Sequence, residues 1–231
     1  MQAFKAAFMQ RIADHVRLGY VHWTAGTIAA ERARALVRKF HIRYGTGRTR
    51  HQKAYGRSLG QASAVLILWE KEPGMLKWVL MVTPGENLAH ELEQLRDGTT
   101  AGGRIVVTGY ELVQLPRHGS QRPAWTWRME AETYEAWRER ILRSARHGPD
   151  VLSEQVKELA RTPGFSGCRA QVRKLLQLAR AEARRRLGPA ATTVSYPTRL
   201  GYVQRLSQSG ISLATWLRQQ RAVHPDEVTT Q

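Results

Sequence analysis

The chain has 231 residues, 42% of them hydrophobic and 24% charged, which is enough to bury a core and too apolar for bulk disorder. Its 36 lysines and arginines outnumber 19 aspartates and glutamates, a formal net charge of +17 at pH 7. No apolar run approaches the roughly eighteen residues of a membrane span, and the single cysteine, Cys168, excludes an intrachain disulfide or a multi-cysteine zinc site.

Residues 1–18 predict a short amphipathic helix, with Phe4, Phe8, Ile12 and Val16 at near-helical spacing. Their lack of a continuous apolar stretch disfavours a signal peptide, so the expectation is a cytoplasmic protein without membrane association. GYVHWTAGTI (19–28) reads as a strand, and 29–40 as a helix with Ala33, Leu36, Val37 and Phe40 on one face. RYGTGRTRHQKAYGRSLG (43–60) has four glycines, no acid and no apolar period, and reads as a long basic loop.

The middle of the chain is β-rich. Residues 62–70 and 75–83 predict a hairpin around the turn at 72–74. Residues 86–97 predict a helix carrying Leu88, Leu92 and Leu95, and RIVVTGYELVQL (104–115) predicts a strand. A basic loop at 116–123 leads to a last strand at 124–129 that pairs back. The order over 19–115 is β-α-β-β-α-β, that of the ferredoxin-like split motif, followed by one extra strand.

Beyond residue 130 only helices are expected: 134–146, 151–160, 168–187 as the longest, then short helices at 202–206 and 212–221 before a polar tail. The reading is therefore an α+β protein. A ferredoxin-like domain spans 1–130 and carries the basic loop 43–60; an all-helical basic region spans 131–231.

Charge is the main functional signal. Lysine occurs seven times, so 29 of the 36 cations are arginine. The planar guanidinium fork binds phosphate bidentately and stacks on bases, whereas an ammonium is a point charge. A GC-rich genome would explain arginine over lysine but not the shortage of acids. Residues 1–60 carry a net +10, residues 61–130 a net −1 and residues 131–231 a net +8. Such a field draws polyanions.

Two stretches are candidate nucleic-acid contacts. The first presents Arg43, Arg48, Arg50, His51, Lys53 and Arg57 interleaved with Tyr44 and Tyr55, forks for phosphate and rings for unpaired bases. Its glycines lack the spacing of a phosphate-binding loop. The second is helix 168–187. At 100° per residue, Val172, Leu175, Leu176, Ala179 and Ala183 form one stripe and Arg169, Arg173, Arg180 and Arg184 an adjacent one. Glu182 is the one acid in this helix.

Other features carry weaker signals. Helical pairs around 161–167 and 209–212 have the outline of helix-turn-helix units. Eight histidines form no HxxxH or HExxH pair, so no metal and no cofactor are expected. His22, at the first core strand, is a candidate general acid or base for cleavage of RNA by its own 2′-hydroxyl, with arginines stabilising the phosphorane. Trp125 and Trp127 share a strand face, as a stacking platform or, preferably, as core.

YVHWTAGTI, the RYGTGR loop, VTGYELVQLPR, PAWTWRM and YEAWRERI together resemble small basic proteins carried on proteobacterial plasmids and integrative conjugative elements, over roughly residues 19–146. The resemblance implies a mobile-element setting and supplies no catalytic residues. In outline, a ferredoxin-like core with arginine-rich additions is also similar to the RNA-binding proteins that process CRISPR guide transcripts, although the glycine-rich signature of that superfamily is not recognisable here.

The leading expectation is a nucleic-acid-binding accessory protein of a mobile genetic element, non-enzymatic, on RNA or DNA, with other proteins of a nucleoprotein complex as further candidate partners. One alternative is a metal-independent endoribonuclease acting on a structured, CRISPR-type RNA through His22. The other is a basic interaction module bound to an acidic protein.

Overall fold

The computed structural model describes residues 5–117, 119–203 and 212–223. Contacts divide them into two compact units. The first takes the residues up to Gly103 together with the C-terminal helix; the second begins at Arg104 and runs through residue 203. The division thus falls at 103/104, whereas the sequence suggested 130. Both units mix helix and sheet in an α+β chain, or in the second case a small sheet with three helices.

In the first unit the elements are α1 (Lys5–Arg17), β1 (His22–Ala29), α2 (Ala33–Tyr44), α3 (Arg50–Ser58), β2 (Ala64–Glu72), β3 (Met75–Val82), α4 (Leu88–Leu92) and β4 (Arg96–Asp97). The strand order is β2-β3-β1-β4, with every neighbouring pair antiparallel. Residues alternate between faces along each strand. On one face Ala64, Leu80 and Val82 pack with Phe40 and Tyr44 of α2 and Ala89 of α4. Further along it, Leu68 and Leu76 meet Ala33 and Trp216, the latter from the C-terminal helix (Leu213–Val223). The opposite face receives α1, whose Phe8 ring lies 5.5 Å from that of Trp69.

Two expectations are corrected in this unit. Residues 43–60 are not a long loop: α2 runs on to Tyr44, and α3 occupies 50–58. The cause is a capping box. Thr49 Oγ1 accepts from the Gln52 N–H at 3.3 Å, and Gln52 Oε1 accepts from the Thr49 N–H at 2.8 Å. Caps and a polar sequence suffice for this short helix, which buries only Gly56. The fourth strand is also not 104–115 but the two residues Arg96–Asp97, because the helix expected over 86–97 stops at Leu92 and Glu93 turns extended.

In the second unit, β5 (Val106–Val107), β6 (Tyr110–Arg117) and β7 (Ser120–Met129) form an antiparallel meander. What reads as one strand over 104–115 is split by Thr108 and Gly109, both at positive φ (43° and 81°). Two consecutive left-handed residues make the tight turn whose twist suits a hairpin, and glycine accepts that geometry freely. Then come α5 (Ala131–His147), α6 (Pro149–Ala160) and α7 (Ser166–Leu187). Pro149, expected to break a helix, also opens α6, since its fixed φ suits the first helical turn and no donor is lost there. Of the helix expected over 202–206, Tyr202 and Val203 are irregular and the rest lies outside the described residues; so does all of the turn at 209–212 but Ser212. The C-terminal helix, α8 (Leu213–Val223), belongs to the first unit.

Candidate nucleic-acid interface

α7 is positioned by its two stripes. Val172, Leu175, Leu176, Ala179 and Ala183 are buried, as the periodicity requires, and the helix packs on β7, α5 and α6. Its N-terminus is fastened to β7. No residue of the helix caps it; instead Thr126 Oγ1 accepts the Gly167 N–H at 3.2 Å and the Ser166 hydroxyl at 2.8 Å. Gln171 exchanges two hydrogen bonds with the Met129 backbone. Cys168, wholly buried, donates to the Trp127 carbonyl, and Trp127 is itself wholly buried, so both belong to the packing.

The arginine stripe faces a cleft of about 680 Å³. Arg169, Arg173 and Arg180 line one wall; Arg199, Leu200 and Tyr202 of the following irregular segment line the other. Among the described residues no carboxylate lines it. The Arg169 guanidinium stacks 3.4 Å from the Tyr202 ring centroid, and Arg180 sits 4.9 Å from that of Tyr196. The Arg169 Nε–H is buried and has no hydrogen-bond partner among the described residues. Arg184 lies one turn beyond and outside the cleft lining.

The single acid of the helix is spent elsewhere. Glu182 accepts from Arg185 at 2.5 Å and stands 3.7 Å from Arg186, and the Arg185 hydrogen bond holds its carboxyl below the usual range. Among the described residues, the ion pairs involve none of the candidate cations Arg43, Arg48, Arg50, Lys53, Arg57, Arg169, Arg173, Arg180 and Arg184.

The N-terminal candidates are divided among three places. Arg43 and Arg48 line a second cleft, of about 640 Å³, whose walls also carry Glu86 and Glu91. Arg50, His51, Tyr55 and Arg57 are exposed on α3. Lys53 turns away from them, 6.0 Å over the Tyr20 ring, and its pKa is lowered by burial and then by Arg57. There it stands beside His15, whose pKa burial and the Lys53 charge push down to about 4. Tyr44 is buried and donates to Glu93; burial and that bond raise its pKa to about 12.

His22 is half-buried, its ring edge-on to His90 at 5.0 Å, opposite Asp97 in the β1–β4 ladder. Its Nδ1 is enclosed and without a partner among the described residues. Among those residues no group of three His, Cys, Asp or Glu is arranged to hold a metal, and no helix is long and apolar enough to cross a membrane.

Sequence reasoning found the arginine stripe but missed Arg199 and Tyr202. They lie in a segment without periodicity, and only its fold-back along α7 brings them to the stripe. No protein-family profile, curated protein or solved structure matches this chain.

Proposed function

We propose that the chain is a nucleic-acid-binding protein that holds a phosphate backbone through the α7 cleft, an accessory protein of the mobile-element kind its sequence resembles. One observation carries this reading: three arginines of one helix and Arg199 converge on a concavity that, among the described residues, no carboxylate lines, while the helix's own acid is taken up by Arg185 and Arg186. Guanidinium groups held together without counter-charges repel one another, and a polyanion relieves that repulsion while accepting several charge-assisted hydrogen bonds.

The first unit is a compact body of its own. Its strand order, its antiparallel pairing and the two helices on one face support a ferredoxin-like split β-α-β motif, shortened at α4 and β4. The exposed cations of α3 add a second basic surface. The reading assigns no role to His22, which belongs to the first unit and does not line the α7 cleft.

The test is to purify the tagged chain from cells at low salt, record its ultraviolet spectrum and sequence what accompanies it. Copurifying nucleic acid is expected, and its loss from the Arg173→Ala/Arg180→Ala/Arg199→Ala variant. A clean protein spectrum from the unaltered chain, with no binding to added oligonucleotides, contradicts the reading.

A further inference from the structure

We infer that the α7 cleft takes a single, unstacked nucleotide, with its base against Tyr202 and its phosphates on Arg173, Arg180 and Arg199, so that the ligand is a single strand rather than a duplex. The inference rests on the nucleic-acid reading above and deepens it.

Three observations carry it. First, the arginines of the cleft are walled in rather than projecting. Arg169, Arg173 and Arg180 line a cleft walled on its other side by residues 197–202, whereas a helix that reads a duplex must project into a groove about 12 Å wide. Second, the arginines look into a concavity, which admits an extruded nucleotide or a strand without a complement.

Third, Tyr202 is built as a stacking surface. It is 73% exposed, although one side of its ring is covered by the Arg169 guanidinium at 3.4 Å. The open side accepts a base, giving a base–tyrosine–guanidinium stack in which the cation behind the ring strengthens the platform. Arg169 therefore acts on the ligand through Tyr202 and is a positioning residue. The end of the segment is fixed by the Val203 N–H donating to the Gly164 carbonyl at 3.2 Å, so the ring is held before any ligand arrives.

Fluorescein-labelled oligonucleotides of one sequence, as single-stranded RNA, single-stranded DNA and the annealed DNA duplex, test this by anisotropy at low salt. Single strands are expected to bind at least about tenfold tighter than the duplex, the scale of one stacked base. Tyr202→Ala should erase that preference and Tyr202→Trp should keep it. A 2-aminopurine in the single strand should be quenched on binding to the unaltered chain and not to Tyr202→Ala. A stronger RNA arm would identify 2′-hydroxyl contacts; equal RNA and DNA arms would identify stacking and phosphate contacts alone, and both support the inference.

Equal or tighter duplex binding, or a preference that survives Tyr202→Ala, overturns the single-strand inference while leaving nucleic-acid binding standing. No binding in any arm overturns both. Because Tyr202 is exposed, unchanged far-UV circular dichroism of the variants separates these outcomes from misfolding.

Discussion

The backbone N–H of Val203 donates to the carbonyl of Gly164 at 3.2 Å, joining the end of the irregular segment to the turn that precedes α7. Gly164 packs so closely that a Cβ there would meet the Gly201 carbonyl and lie 2.7 Å from the carbonyl carbon of Tyr202, which are backbone atoms that cannot swing aside. Gly164→Ala should therefore displace Tyr202 from Arg169 while leaving the helix intact. The expected result is a several-fold loss of single-strand affinity with little change in helicity, at a stability cost of about 1–3 kcal/mol. Limited proteolysis should show earlier cleavage within 194–203. Unchanged affinity and cleavage would mean that the segment is not held there.

Glu182 bears on the electrostatics in the opposite sense. Its carboxylate pairs with Arg185 and Arg186 and partly cancels the positive field of α7. Glu182→Gln removes that charge and releases two guanidinium groups. Affinity for an oligonucleotide should rise by about two- to threefold at low salt, with a steeper salt dependence, since more counterions are displaced on binding. Weaker binding would show that Glu182 orders the site rather than opposing the ligand.

The pH dependence of stability should carry the mark of His15. Burial, then the Lys53 charge, puts its folded pKa at about 4, against 6.5 when solvated. Between these values the unfolded chain binds a proton that the folded chain refuses, so stability is full above pH 6.5 and falls as pH drops towards 4. From pH 6.5 to 5 the loss is about 1.5 kcal/mol by linkage. The same window lies above the usual titration of carboxylates. Urea midpoints across it should decline for the unaltered chain and stay flatter for His15→Leu; parallel declines would assign the loss to another group.

Trp216 should be the main anchor of α8. It is 5% exposed, packs on Leu68 and Leu76, and donates its indole N–H to Glu70 at 3.1 Å. Trp216→Ala is expected to cost about 3–5 kcal/mol of stability. Trp216→Phe keeps most of the contact area and forfeits the hydrogen bond, so its loss should be much smaller. Denaturant unfolding distinguishes them, and an unaltered midpoint for Trp216→Ala would contradict the packing.

What could be seen in the sequence follows from the range of the forces involved. The stripes of α7 were legible because a 3.6-residue period is local and strong over twenty residues. The β2–β3 hairpin was legible as two apolar runs, AVLILW and MLKWVLMV, separated by the turn at 72–74. The capping box Thr49–Gln52 was also present in the sequence, yet glycines and missing apolar residues outweighed it, since α3 has almost no buried face to announce it. Thr108–Gly109 divided an apparently continuous strand because threonine seldom adopts positive φ, so TG is a weaker turn signal than asparagine–glycine. Tyr202 and Arg199 reach the cleft only through a fold-back that has no period at all. His22 was legible as a strand residue, but its enclosure against His90 depends on where α4 lands.

If the guanidinium groups of α7 that pair with no described carboxylate hold a phosphate backbone, the salt dependence of single-strand binding must show it. Log Kd should rise linearly with log salt for the unaltered chain, and the slope should shrink by about 1.4 in Arg173→Ala/Arg180→Ala, two phosphate contacts at about 0.7 each for a single strand. A slope identical in the two proteins, or no binding even at low salt, would contradict it.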